Sequence, residues 1–311
     1  MSNSKPKMNL ALTCGDFAGV GPDLVEYYLK NHSIEGVNLN AIGPESWLDK
    51  LPENEFITHR PIAEGPHERM PGKPSEDSAK IAMQALEEAA SGCVQGHYDG
   101  VISAPVSKYE LSKVGFSYPG QTEFFAARWG GTPTMAFAGG RMRLVLATWH
   151  IPFINVPEAL TFEVLQQAVS QAHHLGQTSG PQSPRIAVCG LNPHAGEQGL
   201  IGNEEQAYLD AWLTRLQEQF AGLTTTLPAD TVFKRHLDGE FDVVVALYHD
   251  QGLAPLKTVE FDQAVNITLG LPWIRTSPDH GTAFGLAGKV EHINPASYVA
   301  SIRECVRLTN Q

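Results

Sequence analysis

At 311 residues the chain is too long for one small core, so two domains are the default expectation. With 42% hydrophobic and 18% charged residues it is not a disordered chain, and its apolar runs fall far short of a bilayer span. A formal net charge of −12 gives no general attraction to nucleic acid, and an anionic small molecule needs a local cluster of cations. Met1 to Leu10 is short and polar, with no signal-peptide core. Cys14, Cys93, Cys189 and Cys305 lie far apart without a CxxC pair, and read as free buried thiols in a reducing cytoplasm.

Taken in chain order, Asn9 to Thr13 is a short apolar strand that runs into Cys14-Gly15-Asp16-Phe17-Ala18-Gly19-Val20-Gly21-Pro22. Pro22 suits the first turn of a helix carrying Leu24, Val25, Tyr28 and Leu29. Gly19 and Gly21 imitate a dinucleotide fingerprint, but Leu24 stands where the third glycine belongs, so a Rossmann reading is rejected. Ser78 to Gly92 has helical apolar spacing through Ile81, Ala85, Leu86 and Ala89. Tyr98 to Ser103 follows as a strand ending in Ala104-Pro105-Val106-Ser107-Lys108, and then comes the polar loop Tyr118 to Glu123. Glu158 to Leu175 and Asn203 to Gln219 read as helices, and Gln177 to Pro184 as a surface loop. Strand and helix alternate, which predicts an α/β fold with mainly parallel sheets.

Three strands each end in a histidine. Arg143 to Thr148 leads to His150, Arg185 to Gly190 leads to His194, and the run Phe241 to Leu247 leads to His249. A single histidine in such a place is more often a satisfied polar residue than a ligand. Three imidazoles at one sheet edge suit a divalent ion with an open position, able to polarise a substrate hydroxyl or carbonyl. The remaining histidines, among them His59, His67, His97, His173 and His174, lack that context. Asp230 and Asp250 are candidate carboxylates beside the metal, with a helix cap or turn as the ordinary alternative. Lys257, in a Pro-containing loop eight positions after His249, joins Asn266 and Arg275 as groups suited to a phosphate or carboxylate. Asp279 to Lys289 is a second glycine-punctuated loop; Gly281, Gly285 and Gly288 would allow close backbone approach to a ligand, or simply form a tight loop and helix start.

Seven segments carry a resemblance: Gly15 to Pro22, Ala104 to Lys108, Pro119 to Phe124, Gly190 to Glu197, Pro228 to Thr231, Tyr248 to Leu253 and Val265 to Ser277. In this order they resemble the 4-hydroxythreonine-4-phosphate dehydrogenase family of pyridoxal phosphate biosynthesis, over nearly the whole chain from Gly15 to Gly288. The resemblance implies two α/β/α domains similar to isocitrate and isopropylmalate dehydrogenases. Residues 1–120 with 280–311 would form the first, residues 121–279 the second with the metal ligands, and the active site would lie in the cleft between them. It implies NAD- or NADP-dependent oxidation of 4-phosphooxy-L-threonine at C3, then decarboxylation to 3-amino-2-oxopropyl phosphate. The family's metal histidines match His150, His194 and His249, holding one divalent ion (Zn, Co, Mg or Mn). Its substrate residues match Thr122, Lys257, Asn266 and Arg275, with Gln121 where the family usually has histidine. Asp230, Asp250 and Lys257 are the expected catalytic groups. By analogy with decarboxylating dehydrogenases, Asp279, Gly281, Gly285 and Gly288 would cradle the nucleotide. The resemblance also implies a homodimer whose metal ligands come from both subunits, with no nucleic-acid or membrane partner. Because glutamine cannot become a cation, dehydrogenation of another phosphorylated hydroxy acid, threonate or erythronate 4-phosphate, is the second reading. A more distant one is an acyl or phosphoryl transferase of the same superfold.

Overall fold

The computed structural model describes residues 8–62, 68–178 and 180–310. The expectations for His67, for Ser179 within the Gln177–Pro184 loop and for the first seven residues lie outside these. The chain divides into two compact units, Met1–Pro133 with Leu271–Asn310, and Thr134–Gly270.

The first unit is built on five strands: β1 (Met8–Thr13), β2 (Val37–Gly43), β3 (Ile57–Pro61), β4 (Gly100–Ser103) and a strand late in the chain, Ile274–Pro278. Their order is β3, β2, β1, β4, then Ile274–Pro278, all parallel. Parallel strands buried on both faces are apolar throughout, and Leu10, Ala11, Leu12, Val101 and Ile102 are fully buried. Helix Gly21–Asn31 begins as expected with Pro22 in its first turn. A Cβ on Gly21 would lie 2.2 Å from the Cys14 carbonyl oxygen, so the glycine serves helix–strand packing and no nucleotide is needed to explain it. Helix Glu76–Val94 is capped by Ser75, whose hydroxyl accepts from the Ser78 N–H at 3.2 Å.

The second unit contains β5 (Thr134–Ala138), β6 (Arg143–Leu146), β7 (Ile186–Cys189), β8 (Leu223–Leu227), β9 (Val243–Ala246) and β10 (Val265–Leu269). The late strand Ile274–Pro278 of the first unit is β11. The order in the second unit is β10-β5-β6-β9-β7-β8. β5 runs antiparallel to β6 and β10, while β6, β9, β7 and β8 are mutually parallel. The four parallel strands therefore release their carboxyl ends on one edge. The chain crosses over there, since β8 lies beyond β7 and β9 returns to its other side. Such a switch point is where open α/β sheets bind ligands.

Three expectations need correction. The domain boundaries expected at 120/121 and 279/280 fall at 133/134 and 270/271. The reason is packing: helix Gln121–Trp129 buries Phe124, Phe125 and Trp129 in the first unit's core, and β11 pairs with β4. The helix expected over Glu158 to Leu175 is broken; Val156–Ala159 stops, and Thr161 caps a new helix, Phe162–Gln177, by accepting from the Val164 N–H at 3.3 Å. The segment after His249 is not a loop but helix His249–Glu260, which runs through Pro255. All four cysteines are free and buried.

Candidate metal and substrate site

His150, His194 and His249 follow β6, β7 and β9, three neighbouring parallel strands, so all three leave the same sheet edge. Two of them meet. The His150 and His249 rings lie 5.6 Å apart between centroids. They line a cavity of about 360 Å3 with Ile151, Phe153, Val156, Tyr248 and Asp250. Phe153 and Tyr248 pack edge to face at 5.2 Å and form an apolar wall. Asp250 Oδ1 is 2.7 Å from His249 Nδ1. His194 is not among the lining residues; its Nδ1 is 3.0 Å from Glu197 Oε2, and its side chain is 59% exposed. Among the described residues of one chain, no three His, Cys, Asp or Glu side chains are grouped as a ligand set.

The backbone at both loops is unusual. His150 has φ 52° and His194 φ 53°, a left-handed conformation that residues bearing a Cβ rarely hold. Such strain persists where surrounding contacts over-determine it, and it collects at functional sites. Asp230 is exposed in the first turn of helix Ala229–Leu237, which follows β8 at the same edge; its charge faces the positive end of the helix dipole.

The donor chemistry fits a first-row divalent cation. Two imidazoles in contact, one with its second nitrogen engaged by a carboxylate, are the usual beginnings of such a site. The exposed His194 is a third imidazole of the same type.

The anion-binding candidates are divided between the units. Lys257 is half-buried on helix His249–Glu260 and Asn266 lies on β10. Gln121 and Thr122 open helix Gln121–Trp129 in the first unit, and Arg275 lies on β11. Thr122 is buried, and the Gln121 Oε1 is buried with no hydrogen-bond partner among the described residues. Arg275 is 4% exposed and donates from Nε to Ser103 Oγ at 2.7 Å. Burial pushes its guanidinium down to about 9, partly offset by Glu123, and it remains a cation at neutral pH.

In the Asp279 to Gly288 segment, a Cβ at Gly281 or Gly285 would meet open space, and Gly288 has φ 78°. No helix starts there; turns lead to a short 3-10 helix, Val290–His292. The Gly288 N–H donates to Asp23 Oδ2 at 3.0 Å, and Arg69 grips Asp23 with bonds of 2.7 and 2.6 Å. Arg69 also donates to the Phe17 and Gly19 carbonyls, so one guanidinium fastens the Gly15–Pro22 turn. Neither Arg69 nor Asp23 was singled out from sequence, where an Arg and an Asp 46 positions apart carry no pairing signal. Phe153 was also missed, since an aromatic in an apolar stretch reads as ordinary core.

Residues 24–305 match the family model described as pyridoxal phosphate biosynthetic protein PdxA. The chain belongs to this family. A curated PdxA-family relative, the 4-hydroxythreonine-4-phosphate dehydrogenase of Erythrobacter litoralis, is 38% identical over 309 residues, covering 92% of each chain. The crystal structure of a 4-hydroxythreonine-4-phosphate dehydrogenase from Burkholderia phymatum matches with a TM-score of 0.80 and 32% identity, over 97% of this chain and 98% of that one. A β-decarboxylating dehydrogenase from Thermococcus kodakarensis, at 13% identity, matches with a TM-score of 0.52 over 97% of this chain and 83% of its own. That likeness is one of fold alone, and it agrees with the fold class expected for a PdxA-family chain. No described helix is long and apolar enough to cross a membrane.

Proposed function

We propose that the chain oxidises 4-phosphooxy-L-threonine at C3 with NAD or NADP and a divalent metal ion, and releases carbon dioxide to give 3-amino-2-oxopropyl phosphate, within pyridoxal 5'-phosphate biosynthesis. The chain belongs to the PdxA family, whose curated relatives are dehydrogenases, and this supports the nicotinamide cofactor. The observation that carries the metal reading is the contact between His150 and His249 at the carboxyl edge of β6 and β9.

His150, His249 and His194 are the proposed ligands of the cation. A divalent ion held by them would supply Lewis acidity toward the substrate's oxygens, and a bound nicotinamide would supply the hydride acceptor. Asp250 fixes the His249 tautomer through their 2.7 Å contact. Lys257 Nζ and the Asp230 carboxylate are the groups we assign to the transfer of the hydroxyl proton. Arg275, Asn266, Thr122 and Gln121 bind the phosphate and carboxylate, and Arg275 enters as a charge already desolvated. The Asp279–Gly288 loop, with its open glycines at 281 and 285, receives the nucleotide.

We further propose a homodimer that completes each metal site. His194 stands apart from the other two histidines in its own chain. Exposed apolar residues flank the ligand loops, with Phe153 at 66%, Ile154 at 84% and Leu200 at 84% exposed. A surface of that kind suits burial against a second copy. Mixing subunits inactivated by His194→Ala with subunits inactivated by His249→Ala should restore some activity; a mixture that stays inactive after verified exchange contradicts a shared site.

A second substrate is favoured by one observation. Gln121, where the resemblance leads one to expect a histidine, cannot become a cation, and its buried Oε1 asks for a donor. The decisive assay compares 4-phosphooxy-L-threonine with D-threonate and D-erythronate 4-phosphate, each with NAD and NADP. Preferred turnover of the amino acid supports the first reading, and preferred turnover of either hydroxy acid supports the second.

A further inference from the structure

The loop after β7 is held in a conformation that its own residues oppose. From His194 to Gln198 five successive residues are left-handed, at φ 53°, 51°, 78°, 43° and 56°, and Gly196 is the single glycine among them. Side chains with a Cβ disfavour that region, so something outside the turn must impose it.

The structure points to Glu205. This side chain is 1% exposed and sits at the start of a π-helical turn, Glu205–Leu209, that leads into helix Asp210–Gln217. Its Oε1 accepts from the Leu191 and Asn192 N–H groups, both at 2.8 Å, and its Oε2 accepts from Asn192 Nδ2 at 2.9 Å. Asn192 Nδ2 also donates to Glu204 Oε2 at 2.7 Å, so the two acidic residues hold it from both sides. The carboxylate touches the far side of the loop as well: a Cβ on Gly196 would lie 2.8 Å from Oε2, and one on Gly190 3.3 Å from Oε1. The loop is thus wrapped around one buried carboxylate, with charge-assisted bonds to its entry and no space for a side chain at its middle glycine. A widened π-turn at the same residue is a further local irregularity of the kind that recurs where geometry serves function.

We propose that Glu205 is the positioning residue of this loop, holding residues 190–198 in the left-handed turn that presents the His194 imidazole for metal binding. The role in metal binding rests on the reading of His194 as a ligand given above; the role in shaping the loop does not. Glu205 does not touch the metal or the substrate. It acts through the backbone, by fixing where the His194 Cα stands and which way its side chain leaves.

The test compares the metal-stripped wild-type protein with Glu205→Ala, Glu205→Gln and Asp210→Ala. Asp210 is the control, a carboxylate on the same helical segment that instead accepts from Thr226 N and Thr226 Oγ1 at 3.0 and 2.7 Å. Two quantities are read: hydrogen exchange of segment 190–198 without metal, and titration with Co(II), whose visible bands report imidazole coordination. Glu205→Ala should speed exchange across 190–198 and weaken cobalt binding by about tenfold or more. Glu205→Gln keeps one acceptor for the two N–H groups, and should fall between alanine and wild type, which also serves if the alanine variant does not fold. Asp210→Ala should leave both the segment and the cobalt affinity as in wild type. Wild-type exchange and cobalt binding in the Glu205 variants would overturn the proposal, as would an equal loosening in Asp210→Ala. A wild-type protein that binds no cobalt would count against the metal reading itself, and the exchange data alone would then decide the role of Glu205.

Discussion

Asp250 Oδ1 stands 2.7 Å from His249 Nδ1, and that contact decides which nitrogen of the ring carries the hydrogen. An ionised carboxylate only accepts, so Nδ1 carries the hydrogen and Nε2 keeps its lone pair. A neighbour that fixes the tautomer also orients the ring and makes the remaining nitrogen a better ligand. Replacing Asp250 by Asn should therefore weaken divalent-metal affinity by about 10–100-fold while leaving the fold intact, because the Asp250 side chain is 89% exposed. Metal titration of the purified variant checks this, and wild-type affinity would show that the contact does not serve the metal.

Arg275 should report substrate binding. It reaches neutral pH charged, and its Nε bond to Ser103 holds it in place. Arg275→Lys keeps a charge but loses the planar fork, so the loss should appear mainly in KM, at about 1.5–3 kcal/mol in kcat/KM. Unchanged KM and kcat would remove Arg275 from the substrate site. Thr122 and Asn266 can be read the same way by kinetics of Thr122→Val and Asn266→Ala.

The Arg69–Asp23 pair should matter for both stability and nucleotide. Asp23 is 5% and Arg69 16% exposed, so Arg69→Met leaves a buried carboxylate without its partner and should cost about 3–5 kcal/mol. Asp23 also receives the Gly288 N–H, so loosening it disturbs the Asp279–Gly288 loop. A rise in the KM for NAD or NADP, with the KM for substrate unchanged, is the expected signature. Urea unfolding and steady-state kinetics on the same preparation separate the two effects.

His236 predicts how stability changes with pH. It is buried, its Nδ1–H donates to the Phe241 carbonyl at 2.8 Å, and its Nε2 accepts from the Arg143 N–H at 3.0 Å. Burial, reinforced by Arg143, lowers its pKa in the folded chain, although the bond to Phe241 opposes the shift. The unfolded chain then takes up a proton, near pH 6.5, that the native chain refuses. The stabilisation is complete above that pH and is lost as pH falls below it. His173, lowered by partial burial and by His174, contributes in the same window, whereas the lowered carboxylates Glu163, Glu204, Glu240 and Asp242 act below about 4.5. Urea midpoints measured between neutral pH and pH 5 should fall in the wild type and fall less in His236→Gln. Equal slopes would exclude His236 as the titrating group.

Much of this was legible in the sequence because it depends on local order. Apolar runs such as Val243 to Leu247 announce buried parallel strands, and a strand followed by a polar residue announces a sheet edge. That is why His150, His194 and His249 could be placed on one edge without coordinates. What sequence could not show depends on distant neighbours. β9 slots between β6 and β7, although β7 and β8 intervene in the chain, and this puts His249 beside His150, while His194 pairs with Glu197 and is not among the residues lining their cavity. Glu205 falls inside the span Asn203 to Gln219, which reads as a helix, and nothing in a Glu-Glu pair there signals burial. Only the wrapped loop reveals it as a buried carboxylate. Pro255 suggested a loop because proline removes a helical donor, yet helix His249–Glu260 tolerates it, with Leu253 and Leu256 buried on either side.

Removal and return of metal test the central claim most directly. Protein stripped by a chelator, freed of it, and given 4-phosphooxy-L-threonine with NAD or NADP should form no reduced nicotinamide. Adding back a divalent ion should restore formation, with carbon dioxide released in equal amount, and His150→Ala should not be restored. Reduced nicotinamide formed at an undiminished rate after complete metal removal would contradict the assignment of His150, His194 and His249 as metal ligands required for the reaction.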